Sequence, residues 1–208
     1  MKGAAVWSFT CMFLEMWNAI KKTDTDYTAY FPEITYTAKQ TGYVQPYADN
    51  PLDDEHTGEN VYMNVLNSAR EYAYFITPYL LISDEMKKAF TLAARRGVDV
   101  RIITPGIPDK KFVYQATRSY YNRLVKKGVR IFEYTPGFCH AKQCVSDDKA
   151  AVVGTINLDY RSLYHHFENA AAFYHKDAVA GVKADFDHLF EECHEVTEQY
   201  RSHRSTAL

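Results

Sequence analysis

No pair of the four cysteines (Cys11, Cys139, Cys144 and Cys193) has Cys-x-x-Cys spacing. A zinc ribbon or a thioredoxin-like site is therefore disfavoured, and all four are expected as reduced thiols. Neither sign of charge is in excess: 24 Lys+Arg stand against 26 Asp+Glu, a formal net charge of -2. A globally basic nucleic-acid binder is not expected on that balance. Long apolar runs are missing as well. The longest, across residues 4–7 and 11–14, is interrupted by Ser8 and Thr10 and followed by Glu15 and Asn18, which is too short and too polar for a membrane span. The start lacks the basic leader and small-residue cleavage site of a signal peptide. The chain is accordingly expected to be soluble, with any membrane contact at its surface or through sequence outside it. Internal repeats and low-complexity tracts are absent. The composition is that of a globular chain, 47% hydrophobic and 24% charged over 208 residues, with length for one substantial α/β core. Aromatics are plentiful, with 17 Tyr and 12 Phe, and part of that surface is expected to face something other than water.

Hydrophobic spacing predicts a helix over 4–21, with Val6, Phe9, Phe13, Trp17 and Ile20 on one stripe. That stripe is expected to close the core, docking on a partner being the alternative. Residues 22–42, Thr- and Tyr-rich with Pro32 and Gly42, read as a loop. From there strands are predicted at 43–47, 72–77, 98–104, 129–134, 140–146, 150–153 and 169–174, and helices at 58–70, 83–96, 109–127 and 178–200. Gly97 and Gly128 are natural helix stops, and Asp109 is expected to cap the helix that follows it. The alternation implies an α/β fold, a mixed β-sheet sandwiched between helices. Charge is locally uneven: residues 95–130 hold ten Lys/Arg against two acids, and 176–200 hold seven acids against two Lys. The first stretch reads either as solvated helix faces or as a basic side turned toward anionic ligands.

The stretch that carries chemistry runs from His140 through Lys142 to Asp147, and continues at Gly154-Thr155-Ile156-Asn157. On a strand, residues two apart share a face, so His140 and Lys142 are expected to point the same way, and Cys144 with them. An imidazole beside a fixed ammonium suits attack on a phosphoryl group: the nitrogen is the nucleophile and the cation neutralises the oxygens. A turn at 147–149 leads into the next strand. At its end Gly154 is expected to allow close backbone approach, Thr155 and Asn157 to project beside His140, and Asn157 to open an anion-favouring helix.

Together these residues match His-x-Lys-(x)4-Asp-(x)6-Gly-Ser/Thr-x-Asn, and on them the sequence resembles the phospholipase D superfamily. Flanking stretches resemble bacterial cardiolipin synthases, in their C-terminal half: Tyr43-Val44-Gln45-Pro46-Tyr47, Thr77-Pro78-Tyr79-Leu80, Phe132-Glu133-Tyr134-Thr135-Pro136-Gly137 and Leu158-Asp159-Tyr160-Arg161-Ser162-Leu163. The resemblance implies His140 as nucleophile or general acid, with Lys142 and Asn157 on the phosphate. Thr155 would hydrogen-bond within the site, and Glu168 would orient the histidine. Asp147 completes the catalytic motif, although in this family it is more often read as structural. Tyr79, at a strand end, reads equally as a pocket wall or a turn residue. No metal or cofactor is implied, and the adjacent pair His165 and His166 is disfavoured as a metal site because neighbours on a strand face opposite ways. His166 is the one placed near the pocket. Arg161 reads as holding either a phosphate or a buried carboxylate such as Asp159, the structural role being the one expected.

By the same resemblance the activity is phosphatidyl transfer: cardiolipin from two phosphatidylglycerol molecules, made at a cell membrane surface by the full-length enzyme. The superfamily builds its site from two such motifs. None of His56, His165, His166, His175, His188, His194 or His203 begins a second His-x-Lys. The expectation is a half-enzyme whose other motif comes from further sequence or from a second copy in a homodimer. Alternatives are a homodimeric single-motif phosphodiesterase or nuclease, and an inactive fragment; nucleic acid is the less expected partner. The division expected is an N-terminal helix and Tyr-rich loop over 1–42, a phospholipase D-like catalytic domain over 43–201 and a frayed tail over 202–208.

Overall fold

The period-two and 3.6-residue patterns produce alternating strands and helices in the computed structural model, which describes residues 2–37 and 42–202. Helix α1 (Ala5–Lys21) leads to β1 (Val44–Asp49) and α2 (Thr57–Ser68). Then come β2 (Tyr72–Ile76), β3 (Leu80–Leu81), α3 (Asp84–Arg95), β4 (Asp99–Pro105), α4 (Lys111–Val125) and β5 (Arg130–Tyr134). The second half holds β6 (Gln143–Ser146), β7 (Ala150–Gly154), β8 (Leu158–Asp159), α5 (Tyr160–Tyr164) and β9 (Glu168–Phe173). It closes with α6 (Lys176–Glu192), β10 (Cys193–Glu195) and α7 (Thr197–Ser202).

One eight-stranded sheet runs in the order β1-β9-β7-β6-β2-β4-β5-β10. Strands β2, β4 and β5 are parallel, and every other neighbouring pair is antiparallel. All five residues of β2 are buried, which requires cover on both faces. Ala73 and Phe75 face a layer built from α2, α3, α4 and the entry to α7, through Leu66, Phe90, Leu124 and Val196. Tyr72, Tyr74 and Ile76 face α6, through Val179 and Phe186. The mixed α/β sandwich expected from the sequence is the fold observed. Ser83 caps α3 as its spacing implied, its Oγ accepting from the Met86 amide at 3.0 Å, a contact worth about 1 kcal/mol.

Three expectations change. The α1 stripe does not close the core: Phe13, Trp17 and Ile20 are 53%, 45% and 67% exposed, and Leu14 is the one buried residue of the helix. The reason is position, since α1 packs beside β1, an edge strand, away from the two faces of the central strands where the core lies. The helix expected over 178–200 breaks at Cys193, because the chain gains more by adding β10 to β5. There Arg130 grips Glu195 with Nε–Oε1 and Nη2–Oε2 distances of 3.0 and 2.8 Å, and the Ile131 amide donates to Thr197 Oγ1 at 3.1 Å. Asp109 does not cap α4: the cap position falls one residue later, on Lys110, without a side-chain cap, and the helix starts at Lys111. Asp109 instead accepts from the Tyr79 hydroxyl at 2.5 Å. The expected frayed tail lies outside the described residues from 203 onward. Among the described residues no helix is long and apolar enough to cross a membrane.

The β6–β7 turn is held from outside. Asp147 and Asp148 both adopt left-handed backbone, φ 53°, which Asp tolerates better than most residues. The Asp147 carboxylate accepts from the amides of Arg70, Glu71 and Tyr72 at 2.8, 3.0 and 2.9 Å. Burial pushes this carboxyl up, but those three amides outweigh it and hold it below its ordinary 3.8. A carboxyl depressed on folding stabilises fully above its unfolded value and loses that contribution as pH falls through the folded one. Asp147→Asn is expected to cost about 1–2 kcal/mol at pH 7, read by urea unfolding. The gap to wild type should close as the pH is taken below 3.8. A gap unchanged in acid would show that the carboxylate's charge is not what holds the turn.

Candidate active site

Strand direction gathers the site. His140 and Lys142 lie just before β6, Gly154 to Asn157 just after β7 begins to end, and Glu168 opens β9. Because β6, β7 and β9 alternate in direction, these three segments meet at one end of the sheet, the carboxyl end of parallel strands β2, β4 and β5. Open α/β sheets place ligand sites at that end. His140, Lys142, Thr155, Asn157 and Glu168 together line a cleft of about 530 Å³.

A hydrogen-bond chain fixes the far wall. The Thr155 hydroxyl donates to Glu168 Oε2, and the Asn169 amide donates to Thr155 Oγ1 at 3.0 Å. Ser162 Oγ donates to Glu168 Oε1 at 3.0 Å and accepts from Asn157 Nδ2 at 2.9 Å. Asn157 Oδ1 is buried without a hydrogen-bond partner among the described residues, so among them its amide plane is set by Ser162. Lys142 Nζ donates to the His140 carbonyl at 2.6 Å, which ties the ammonium beside the imidazole. His140 titrates below its ordinary 6.5, first through loss of hydration and then through the Lys142 charge, with Asp109 opposing. The imidazole is therefore neutral at pH 7, the form a nucleophile requires. Desolvation also lowers Lys142, while Glu168 opposes that change. The site thus offers an unprotonated ring nitrogen, one cation and the Asn157 amide around a shared space, with the Glu168 carboxylate occupied by Thr155 and Ser162, which is equipment suited to phosphoryl chemistry.

The family described as "Cardiolipin synthase, PLD-like domain" matches residues 62–190. The chain belongs to this family. A Streptococcus mutans protein is 50% identical over 95% of the chain and 42% of its own length. Cardiolipin synthase 2 of Bacillus anthracis is 34% identical, over 94% of the chain and 38% of its own length. The chain thus spans about two fifths of the length of these curated relatives. In fold it is similar to the crystal structure of a phospholipase D family member, Nuc, from Salmonella typhimurium. That match has TM-score 0.63 and 16% identity, and covers 74% of this chain and 98% of that one.

Within this phospholipase D-like domain the structure places several sequence-derived residues differently. Asp147 does not join the cleft: it sits at the opposite end of the sheet, on the backbone that leads into β2. His140 and Lys142 precede β6 rather than belonging to it. Cys144, two residues further along, is fully buried in the core with burial pushing its thiol up, and it does not line the cleft. Gly154 does permit a close approach, but by the neighbouring strand: a Cβ there would meet Ala170 Cβ at 2.3 Å and the Asn169 carbonyl at 2.5 Å. Asn157 opens no helix. The next one, α5, is five residues long and starts at Tyr160 behind an Asp159 cap. Glu168 makes no hydrogen bond to His140 among the described residues; it holds Thr155 and Ser162, and lies 3.6 Å from His166 Nδ1. Arg161 is exposed and does not pair with Asp159, whose Oδ1 accepts from the Ser162 amide at 2.9 Å. Tyr79 and His166 line a second pocket that adjoins the first. Tyr79 is pushed up to about 12 by burial and by its bond to Asp109.

Ser162 was not legible as a site residue. Its only signal is membership of the Leu158–Leu163 stretch that carries part of the resemblance, and its role arises from a fold that brings it between Asn157 and Glu168. Two outcomes follow. In Lys142→Ala the His140 ring is expected to titrate higher than in wild type, read from its NMR shifts against pH; an unmoved midpoint would mean that the two charges do not share the cleft. Gly154→Ala is expected to destabilise the domain by roughly 1–3 kcal/mol through overpacking against β9, with thermal unfolding as the readout.

Proposed function

We propose that this domain supplies one histidine of a two-histidine phosphatidyltransferase that makes cardiolipin from two phosphatidylglycerol molecules. The observation that carries the reading is the convergence of a neutral imidazole, an ammonium and an Asn-Thr corner on one cleft. Cardiolipin synthase relatives similar along nearly the whole chain support it. A His140 ring nitrogen attacks the phosphorus of the first lipid. The bond from phosphorus to the headgroup glycerol oxygen breaks, and glycerol leaves with a proton from the second histidine. A nitrogen–phosphorus bond now carries the phosphatidyl group. The free hydroxyl of a second phosphatidylglycerol gives its proton back to that second histidine and attacks the same phosphorus. The nitrogen–phosphorus bond breaks, cardiolipin departs and His140 is regenerated. Which of the two histidines attacks is interchangeable in this scheme, so His140 could equally serve as the acid.

Lys142 and Asn157 neutralise the equatorial oxygens, worth roughly 10²–10³-fold for one such donor. Glu168 and Ser162 act as positioning residues for Thr155 and Asn157. The second histidine comes from further sequence of a longer protein or from another copy, and the lipid is drawn from a membrane surface. The single His-x-Lys in the sequence is the observation behind a second reading, a homodimeric phosphodiesterase acting on nucleic acid.

Incubated with vesicles of headgroup-labelled phosphatidylglycerol, the protein joined to its further sequence or paired with a second copy is expected to release glycerol, and His140→Ala to lower that release by at least ~10²-fold. Nicking of plasmid DNA without glycerol release would move the assignment to the second reading. Equal release by wild type and variant would overturn both.

A further inference from the structure

The pocket that adjoins the catalytic cleft is larger than a headgroup glycerol needs, about 490 Å³, and shares Asn157 and Glu168 with the cleft as a common wall. Its character is different. Leu81, Phe112, Val113 and Ala116 make an apolar side, and Phe112 is 83% exposed at the rim. Lys110 and Arg161 stand on the same pocket, and neither charged side chain has a hydrogen-bond or ion-pair partner among the described residues. Three arginines of the sheet and its helices are by contrast tied to acids: Arg101 on Asp99, Arg118 on Glu133, Arg130 on Glu195. The two carboxylates on the pocket wall are already engaged, Asp159 with the Ser162 amide and Glu168 with Thr155 and Ser162. Two unspent cations beside an apolar wall form a surface for an anionic amphiphile.

We infer that Lys110 and Arg161 bind the phosphate of the acceptor phospholipid, with Phe112, Val113 and Leu81 covering the first methylenes of its chains. This deepens the transferase reading and rests on it. A second phosphate held here sets the acceptor's free hydroxyl toward the shared wall and the phosphorus beyond it, and selects an anionic lipid alcohol over water or a neutral diol. Neither residue has a part in the chemistry at His140.

The test uses the ¹⁵N-labelled chain and three soluble probes: dihexanoyl phosphatidylglycerol below its micelle concentration, inorganic phosphate, and monohexanoylglycerol, which has the chain without the phosphate. Phosphatidylglycerol is expected to shift the amides of 110–116 and 160–162 as well as those of 140–143 and 154–157. The double variant Lys110→Gln/Arg161→Gln should weaken the first group's response roughly tenfold, as loss of a charged hydrogen bond does, and leave the second group responding. Phe112→Ser should weaken the lipid but not free phosphate. Unchanged phosphatidylglycerol affinity in the double variant overturns the inference and leaves the transferase reading intact. So does monohexanoylglycerol binding as tightly as the phospholipid, or free phosphate doing so. Lipid shifts at 110–116 with a silent 140–157 group would instead remove the catalytic reading on which the acceptor assignment rests. Both variants change exposed side chains, so an unaltered amide spectrum without ligand serves as the fold control.

Discussion

The site depends on the register of three antiparallel strands. His140 and Lys142, the Thr155–Asn157 corner and Glu168 are brought together only because β6, β7 and β9 reverse direction twice with fixed pairing, Gln143 opposite Val153 and Gly154 opposite Ala170. A slip of one residue would send every side chain to the other face. Asp147 prevents that slip from the far end, by binding three successive amides at the start of β2. Gly154 prevents it at the near end, where only a hydrogen fits against Ala170. The acid of the His-x-Lys-(x)4-Asp motif thus acts one length of β6 away from the cleft, by holding the turn rather than by lining the cleft.

Charge in the domain is sorted by use. Within the cation-rich stretch around 95–130, four of the ten cations are engaged inside the domain. Arg96 spends its guanidinium on carbonyls at the C-terminal end of α2, with 2.8 Å to Leu66 O, and Arg101, Arg118 and Arg130 are tied to acids. The cations that remain at the functional end are Lys142 in the cleft and Lys110 and Arg161 in its neighbour. Positive charge at this end of the sheet is therefore concentrated in a few positions, and an overall balance of -2 does not oppose the proposed anion binding there.

The α1 helix shows what remains outside this frame. Its Phe13–Trp17 stack, with ring centroids 5.8 Å apart, and Ile20 stay open beside the edge strand. The helix spacing was legible, but the assignment of its stripe to the core was not sound. Amphipathic periodicity reports that a face exists, and cannot say whether the sheet has room for it.

The sequence alone determined the α/β class, most of the element boundaries and the residues of the cleft, because hydrophobic period, helix stops and one short polar motif are local properties. Tertiary structure decided what is non-local. It broke the C-terminal helix at Cys193, since a strand position on β5 with an Arg130–Glu195 fork outweighs local helical preference. It drew Ser162 between Asn157 and Glu168, and moved Glu168 onto Thr155 rather than His140. It left Arg161 unpaired where a partner was expected, because Asp159 was already consumed in capping α5. Which polar group meets which is settled by competition for partners in three dimensions, and a linear pattern does not contain that competition.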